Sequence, residues 1–272
     1  MLHSRTIPGR PVIAMSMCFV TAMYDLYPEV SAQASVRAAS PVPGLAFRLR
    51  HLERLLACDI DLVLFVSSTV RAQLPTVSAR IRVIELALTD IAVYRRVMAA
   101  ADAIQLPAGR NVAKDTLSYL AFGNCKTELV ERAIALAPGH THYAWIDGGI
   151  LKVAADVEIA SRSLEAMSRC DGSDRIVAPM GAYPPLRSEA PWIVDVPYWR
   201  FLGGLWIAPW QRMMSFRGAV DQCLTDLLAA RRITWEVNVY AVIERLQPDL
   251  FCGFLADHDQ SMLQIPKRFF AR

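Results

Sequence analysis

Tyr143-Ala144-Trp145-Ile146-Asp147-Gly148-Gly149-Ile150 is the stretch whose reading decides the fold. Tyr143, Trp145 and Ile146 suit a buried strand, and the apolar run stops at one carboxylate followed by two glycines. Such a run delivers an acid to the open end of a sheet, where glycines let a ligand come close to the backbone. Open α/β sheets bind ligands outside the carboxyl ends of their strands, which makes Asp147 a candidate metal or substrate contact. The plain alternative is a strand end, a Gly-Gly turn and a solvated Asp147.

Working outward, the run from Val12 to Tyr24 contains a first strand ending at Phe19–Tyr24, and residues 1–11 read as a loose arm. Residues 25–43, with Pro28, Pro41 and Pro43, form a long irregular connection of the kind usually kept for function. Leu45, Leu49, Leu52, Leu55 and Leu56 recur at helical spacing, with Arg48, Arg50, His51, Glu53 and Arg54 largely on the other side. Leu62–Val66 reads as a strand ending in the capping cluster Ser67-Ser68-Thr69. Ile81–Leu86 follows as another strand, and Asp90–Ala101 as a helix. Residues 111–137 read as two helices broken at Gly123-Asn124, with Asn124 capping the second. Strand, helix, strand, helix, strand, helices, strand is the signature of a largely parallel sheet.

Beyond Asp147 the expected elements are a helix over 157–169, a strand over Ile176–Met180, and a Pro- and Trp-rich loop over 181–200. A strand over Phe201–Ile207, interrupted by Gly203-Gly204, comes next. Pro209 then opens a long helix to about Arg231, Trp235-Glu236 opens another, and Cys252–Leu255 is a last strand.

The chain has 272 residues, enough to bury a large core, and it contains no internal repeat or linker. One domain over 1–272 is the simplest reading. With 54% hydrophobic and 20% charged residues it suits a sheet covered on both faces. A net charge of +3 without a Lys/Arg run gives no support to a nucleic-acid partner. The six cysteines lie far apart with no Cys-x-x-Cys pair, so they read as small buried thiols of a reducing compartment. Arg5 and Arg10 ahead of the run Val12–Met23 loosely resemble a secretory signal, but Pro11 opens the run and no small-x-small cleavage site follows. No apolar run reaches the roughly 18 residues needed to span a bilayer. A cytoplasmic location is expected, with contact at the inner membrane face as a secondary expectation from the mildly basic, apolar composition.

Dinucleotide, P-loop and nucleophile-elbow signatures are missing. What remains is a set of acids and glycines at expected strand ends: Asp147, Gly203-Gly204, Glu236 and Asp257-His258-Asp259. A carboxylate and an imidazole from two strand ends suit a divalent cation clamping a diphosphate, while a separate acid such as Glu236 takes the proton of an attacking hydroxyl. The plain readings are a solvated loop histidine for His258 and a helix-dipole role for Glu236. His140 and His142 flank the wrong end of their strand. Five of the six tryptophans follow residue 190, where aromatic faces stack on sugars or simply pack.

The order of these motifs resembles the HtrL/YibB-like proteins, relatives of GT-A glycosyltransferases that use nucleotide-sugar donors. The resemblance is carried by Phe19-Val-Thr-Ala-Met-Tyr-Asp25, by the helix with Tyr119 and Asn124-x-Lys126, and most sharply by Tyr143–Gly149. It continues through Phe201-Leu-Gly-Gly204, Trp235-Glu236 and Ala256–Asp259, and so spans about residues 18–265. It implies a GT-A-like α/β fold, with a mixed, mainly parallel sheet flanked by helices. A nucleotide-binding half would cover about 12–150 and an acceptor-binding half about 151–272.

By the same resemblance Thr21, Ala22 and Tyr24 line the base pocket, and Lys126 approaches the base, ribose or phosphate. Trp145, Gly148 and Trp235 complete the nucleotide-sugar set, and Gly203-Gly204 leave room for the sugar or acceptor. Glu236 is the acceptor base or a sugar contact. Asp147 stands where the family carries its Asp-x-Asp metal motif, and His258 is a second ligand for manganese or magnesium. This chain departs from the motif, reading Asp147-Gly148-Gly149 with one acid instead of two.

The expected activity is glycosyl transfer from a UDP- or GDP-linked sugar to a hydroxyl of a cell-surface glycan, glycolipid or lipid-linked precursor. The alternative is a non-catalytic nucleotide-sugar or glycan-binding protein, with a nucleotidyltransferase ranked last because residues 25–43 hold no glycine-rich loop.

Overall fold

The computed structural model describes residues 17–27, 42–170 and 172–270. The loose arm at 1–11, the secretory-signal reading of Arg5, Arg10 and Pro11, the start of the run at Val12 and most of the 25–43 connection lie outside these residues.

Seven strands form one sheet: β1 (Met17–Met23), β2 (Leu62–Val66), β3 (Ile81–Glu85), β4 (His142–Ile146), β5 (Ile176–Met180), β6 (Leu205–Pro209) and β7 (Phe251–Leu255). Their order is β3-β2-β1-β4-β6-β5-β7. Pairings β1–β2, β2–β3, β1–β4 and β5–β7 are parallel, and β6 alone runs antiparallel, against both β4 and β5. The expected fold class, a mixed, mainly parallel sheet flanked by helices, is the one observed.

The helices are α1 (Leu45–Leu56), α2 (Ser68–Arg71), α3 (Ala92–Ala99), α4 (Leu117–Gly123), α5 (Lys126–Leu136), α6 (Val157–Met167), α7 (Trp210–Ala229) and α8 (Glu236–Leu246). Strand side chains alternate between faces, so each strand feeds two cores. Phe19, Met23, Leu64, Ala144 and Ile146 pack on one face with Leu52 and Leu55 of α1 and Leu164 of α6. Val20, Ala22, Phe65, Tyr143 and Trp145 pack on the other with Leu129 of α5, Phe216 of α7 and Tyr240 of α8. Burial on both faces explains the near-continuous apolar strands and the high apolar content.

Three boundaries differ from expectation. The run Phe201–Ile207 enters the sheet only at Leu205, because Gly203-Gly204 form a turn and Phe201 makes one isolated bridge to Met180. Asn124 does not cap the second helix: Cys125 stands at its N-cap. The Asn124 amide instead donates to the carbonyls of Leu120 and Thr234, tying α4 to the chain before α8. The long helix stops at Ala229. Its end is a Schellman turn in which Arg232 N–H donates to Leu227 O and Arg231 N–H to Leu228 O, with Arg231 at φ 56°.

All six cysteines are free, and Cys18, Cys58 and Cys125 are buried. Among the described residues no helix is long and apolar enough to cross a membrane.

Candidate active site

The strand order reverses at β1. The chain steps from β1 outward to β2 and β3, and then returns to lay β4 on the other side. Ligands of open α/β sheets bind in the crevice that such a reversal leaves at the carboxyl ends of the strands. A cavity of about 400 Å³ opens there, lined among others by Met23 just past β1 and Asp147 just past β4.

The antiparallel β6 makes this crevice chemically dense. Ile146 at the end of β4 pairs with Leu205 at the start of β6, and Asp147 N–H donates to Gly204 O at 2.8 Å. The acid and the Gly-Gly pair, 56 residues apart in the chain, are therefore neighbours across one ladder rung. The first residues of α5 and α8, Lys126 and Glu236, reach the same point.

Lys126 Nζ has three acceptors: Gly203 O at 2.8 Å, Glu236 Oε1 at 2.8 Å and Asp147 Oδ1 at 3.1 Å. The side chain is 6% exposed, against 13% for Glu236 and 47% for Asp147. Trp145 Nε1 donates to the same Asp147 Oδ1 at 2.8 Å, and the ammonium lies 5.4 Å from the Trp145 ring centre. Burial by itself would lower the Lys126 pKa, but Asp147 and then Glu236 more than offset it and hold the ammonium above its ordinary value. The cluster is thus a buried cation clamped by two carboxylates.

Two glycines make room for one of those carboxylates. A Cβ on Gly203 would stand 2.6 Å from Glu236 Oε1, and one on Gly123 would stand 2.7 Å from Oε2. Close approach to a side chain, and not a special backbone angle, is what these two positions require.

Of the residues singled out in the sequence, Asp147, Gly203, Gly204, Trp235, Glu236 and His258 line the cavity. Lys126 and Trp145 stand behind it, buttressing Asp147. Thr21, Ala22, Tyr24 and Gly148, expected around a base, are not among its lining residues. Ala22 and Tyr24 point to the opposite face of the sheet, where Tyr24 meets Phe122 edge-on at 5.4 Å. Thr21 is fully buried, one layer below Met23, and Gly148 sits on it: a Cβ there would be 3.4 Å from Thr21 Oγ1. The space beside Gly203 is filled by Glu236 itself. His142 is buried at the far end of β4, as expected of a structural histidine.

Other lining residues escaped the sequence reading. Phe47, Arg48 and His51 come from the face of α1 that reads as solvated, Lys114 from a turn before α4, and Lys152 from the turn after Gly149. Arg48 donates to Tyr24 O at 2.9 Å and Asp25 Oδ1 at 2.7 Å and lies over the Tyr27 ring. Lys114 lies over Tyr119, and Tyr27 Oη donates to Lys114 O at 2.7 Å. Trp199, from the Pro- and Trp-rich loop, meets the His258 ring edge-on at 4.8 Å. Burial, then Arg54 and Lys152, lower the His51 pKa. Burial lowers that of His258, with Asp257 opposing and Lys114 and Lys152 assisting. One signal was available: cations within a few residues of a strand-end acid, such as Lys152 after Asp147.

The expected metal ligands Asp147 and His258 both line the cavity. Among the described residues no three His, Cys, Asp or Glu side chains converge. Asp147 Oδ1 already faces an ammonium and an indole N–H. A cation on Oδ2 would meet the Lys126 charge as a like-charge neighbour, partly screened because Asp147 is 47% exposed.

No protein-family model and no curated protein sequence matches the chain. Among solved structures it is similar to Rv0371c from Mycobacterium tuberculosis H37Rv, at 10% identity over 90% of this chain and 89% of that one, with a TM-score of 0.40. A manganese complex of that protein gives 10% identity, 90% coverage of both chains and a TM-score of 0.35. The 4-diphosphocytidyl-2C-methyl-D-erythritol synthase of Anaerococcus prevotii is similar at 11% identity over 94% and 93% of the two chains, with a TM-score of 0.39. Likenesses at this level assign nothing to this chain.

Proposed function

We propose that the protein is a GT-A-type glycosyltransferase, related to the HtrL/YibB-like proteins. It moves a sugar from a UDP- or GDP-linked donor to a hydroxyl of a cell-surface glycan, glycolipid or lipid-linked precursor. In this reading the chain acts as one domain, with residues 12–150 holding the nucleotide and 151–272 the acceptor. The loop at 181–200 sets acceptor choice, as exposed loops on a fixed scaffold do.

The observation that carries the reading is the convergence of Asp147 and Glu236 on Lys126 at the switch-point crevice, in a cavity walled by Tyr27, Tyr119, Trp199 and Trp235. Aromatic walls suit the flat faces of a base or sugar ring. In this reading Glu236, a carboxylate held in place by a buried ammonium, acts as the general base. The acceptor hydroxyl gives its proton to Glu236 as its oxygen bonds to the anomeric carbon, and the bond from that carbon to the diphosphate breaks with the electron pair leaving on the diphosphate.

One observation favours the second reading, a non-catalytic binding protein: both Glu236 oxygens are packed, against Gly123 and Gly203. The same assay separates the two. Nucleotide sugars are screened for binding by thermal shift, and release of nucleoside diphosphate is followed for wild type and Glu236→Gln. Loss of a general base lowers turnover by roughly 10²–10⁴-fold. Binding without turnover in either protein favours the binding protein, and unchanged turnover in Glu236→Gln removes Glu236 as the base.

A further inference from the structure

One oxygen of Asp147 is already taken by Lys126 and the Trp145 indole, and a diphosphate in this crevice needs positive charge. The lining supplies it. Lys152 leaves the turn that follows Gly149, is exposed, and makes no ion pair among the described residues. Lys114 is held over Tyr119 at 5.0 Å, with Asp115 at 3.4 Å as its acidic neighbour. Arg48, the third cation of the lining, is committed to Asp25 and to the Tyr24 carbonyl. Lys152 therefore remains for a ligand, and Lys114, paired with Asp115 but 41% exposed, lies on the same lining.

We propose that this pocket takes the diphosphate of its ligand on side-chain cations of its lining, Lys152 foremost and Lys114 with it, and not on a divalent metal. The identity of the ligand as a nucleoside diphosphate sugar rests on the function proposed above. The division of labour is spatial. Lys126 is spent internally, fixing Asp147 and Glu236, while the exposed lysines meet the phosphates as point charges. When the sugar–phosphate bond breaks, the electron pair stays on the diphosphate and the lysine ammonium groups offset the added charge.

The test measures binding of UDP, GDP and inorganic pyrophosphate by titration calorimetry to the full chain, in EDTA and in manganese. Wild type is compared with Lys152→Ala and with the Lys114→Ala/Lys152→Ala double variant. Both lysines are on the surface, and circular dichroism checks that the variants fold. The proposal expects diphosphate binding in EDTA about as tight as in manganese, and weakened roughly tenfold to a hundredfold by Lys152→Ala. It also expects affinity to fall as salt is raised.

A nucleoside diphosphate that binds only with manganese overturns the proposal and leaves the transferase reading standing. Pyrophosphate that binds in EDTA through Lys152, with UDP and GDP no tighter, supports the cation site and removes the nucleotide reading. Binding in EDTA that is indifferent to both lysines overturns the proposal, and no binding in either condition overturns both.

Discussion

Lys126→Met tests the central claim about the site, that a buried ammonium holds two carboxylates in place. Methionine keeps most of the aliphatic stem and its packing, so the change removes the charge and little else. Glu236, 13% exposed and enclosed by Gly123 and Gly203, is left without its 2.8 Å partner, and Gly203 O loses its donor. Breaking one side of a buried pair costs about 3–5 kcal/mol. Asp147, nearly half exposed, is screened by water and adds little to that figure. At roughly 2 °C per kcal/mol for a chain of this length, the melting temperature should fall by about 6–10 °C.

A double-mutant cycle isolates the pair. Glu236→Gln alone leaves Lys126 with Asp147 and Gly203 O, whereas Lys126→Met/Glu236→Gln removes the stranded charge. The double variant should therefore recover about 2 kcal/mol or more of the loss, a coupling well above the error of additivity. Thermal and urea denaturation of the four proteins give the cycle. A Lys126→Met protein melting within a degree or two of wild type, or strictly additive losses, would refute the reasoning.

Three further outcomes are expected. Gly203→Ala places a methyl 2.6 Å from Glu236 Oε1 and 2.9 Å from Val237 Cγ1, and should cost about 1–3 kcal/mol in urea melts; pairing it with Glu236→Ala should return part of that loss. Arg231→Gly relieves a left-handed residue at the end of α7, and should raise stability by about 1 kcal/mol, against no gain if Arg231 is unstrained. His51 and His258 titrate below the ordinary 6.5 in the folded chain, so the unfolded chain binds more protons between the lowered values and 6.5. Their contribution is complete above 6.5 and is lost as pH falls through that window. The melting temperature should thus vary less with pH there in His51→Gln/His258→Gln than in wild type, and parallel profiles would contradict this.

Local chemistry was enough to place most elements. The leucine stripe of 45–56 is α1, the apolar run 62–66 is β2 with Ser67 capping the turn after it, and Pro209 precedes the long helix where a helix start tolerates it. Each depends on spacing or on backbone chemistry within a few residues, and such signals survive in one dimension. Asp147, Glu236 and His258 were legible as acids and an imidazole at element ends, which is where a cavity of this architecture opens. Their partners were not. Whether a strand side chain faces a cavity or a helix layer is a matter of parity and depth, and Thr21, Ala22 and Tyr24 went to the core on those grounds. Arg48 and His51 lie on a helix face whose pattern is the same whether it meets water or a pocket.

The sequence by itself determined a mainly parallel α/β sheet buried on both faces, and an acid with two glycines at the end of a central strand. Periodicity and the chemistry of single residues carry that much. Only the tertiary structure decided that β6 runs antiparallel beside β4, because strand direction depends on which long connection closes where. That one reversal brings Gly204 to Asp147, two helix starts bring Lys126 and Glu236 to the same point, and together they set a buried ammonium against the strand-end acid.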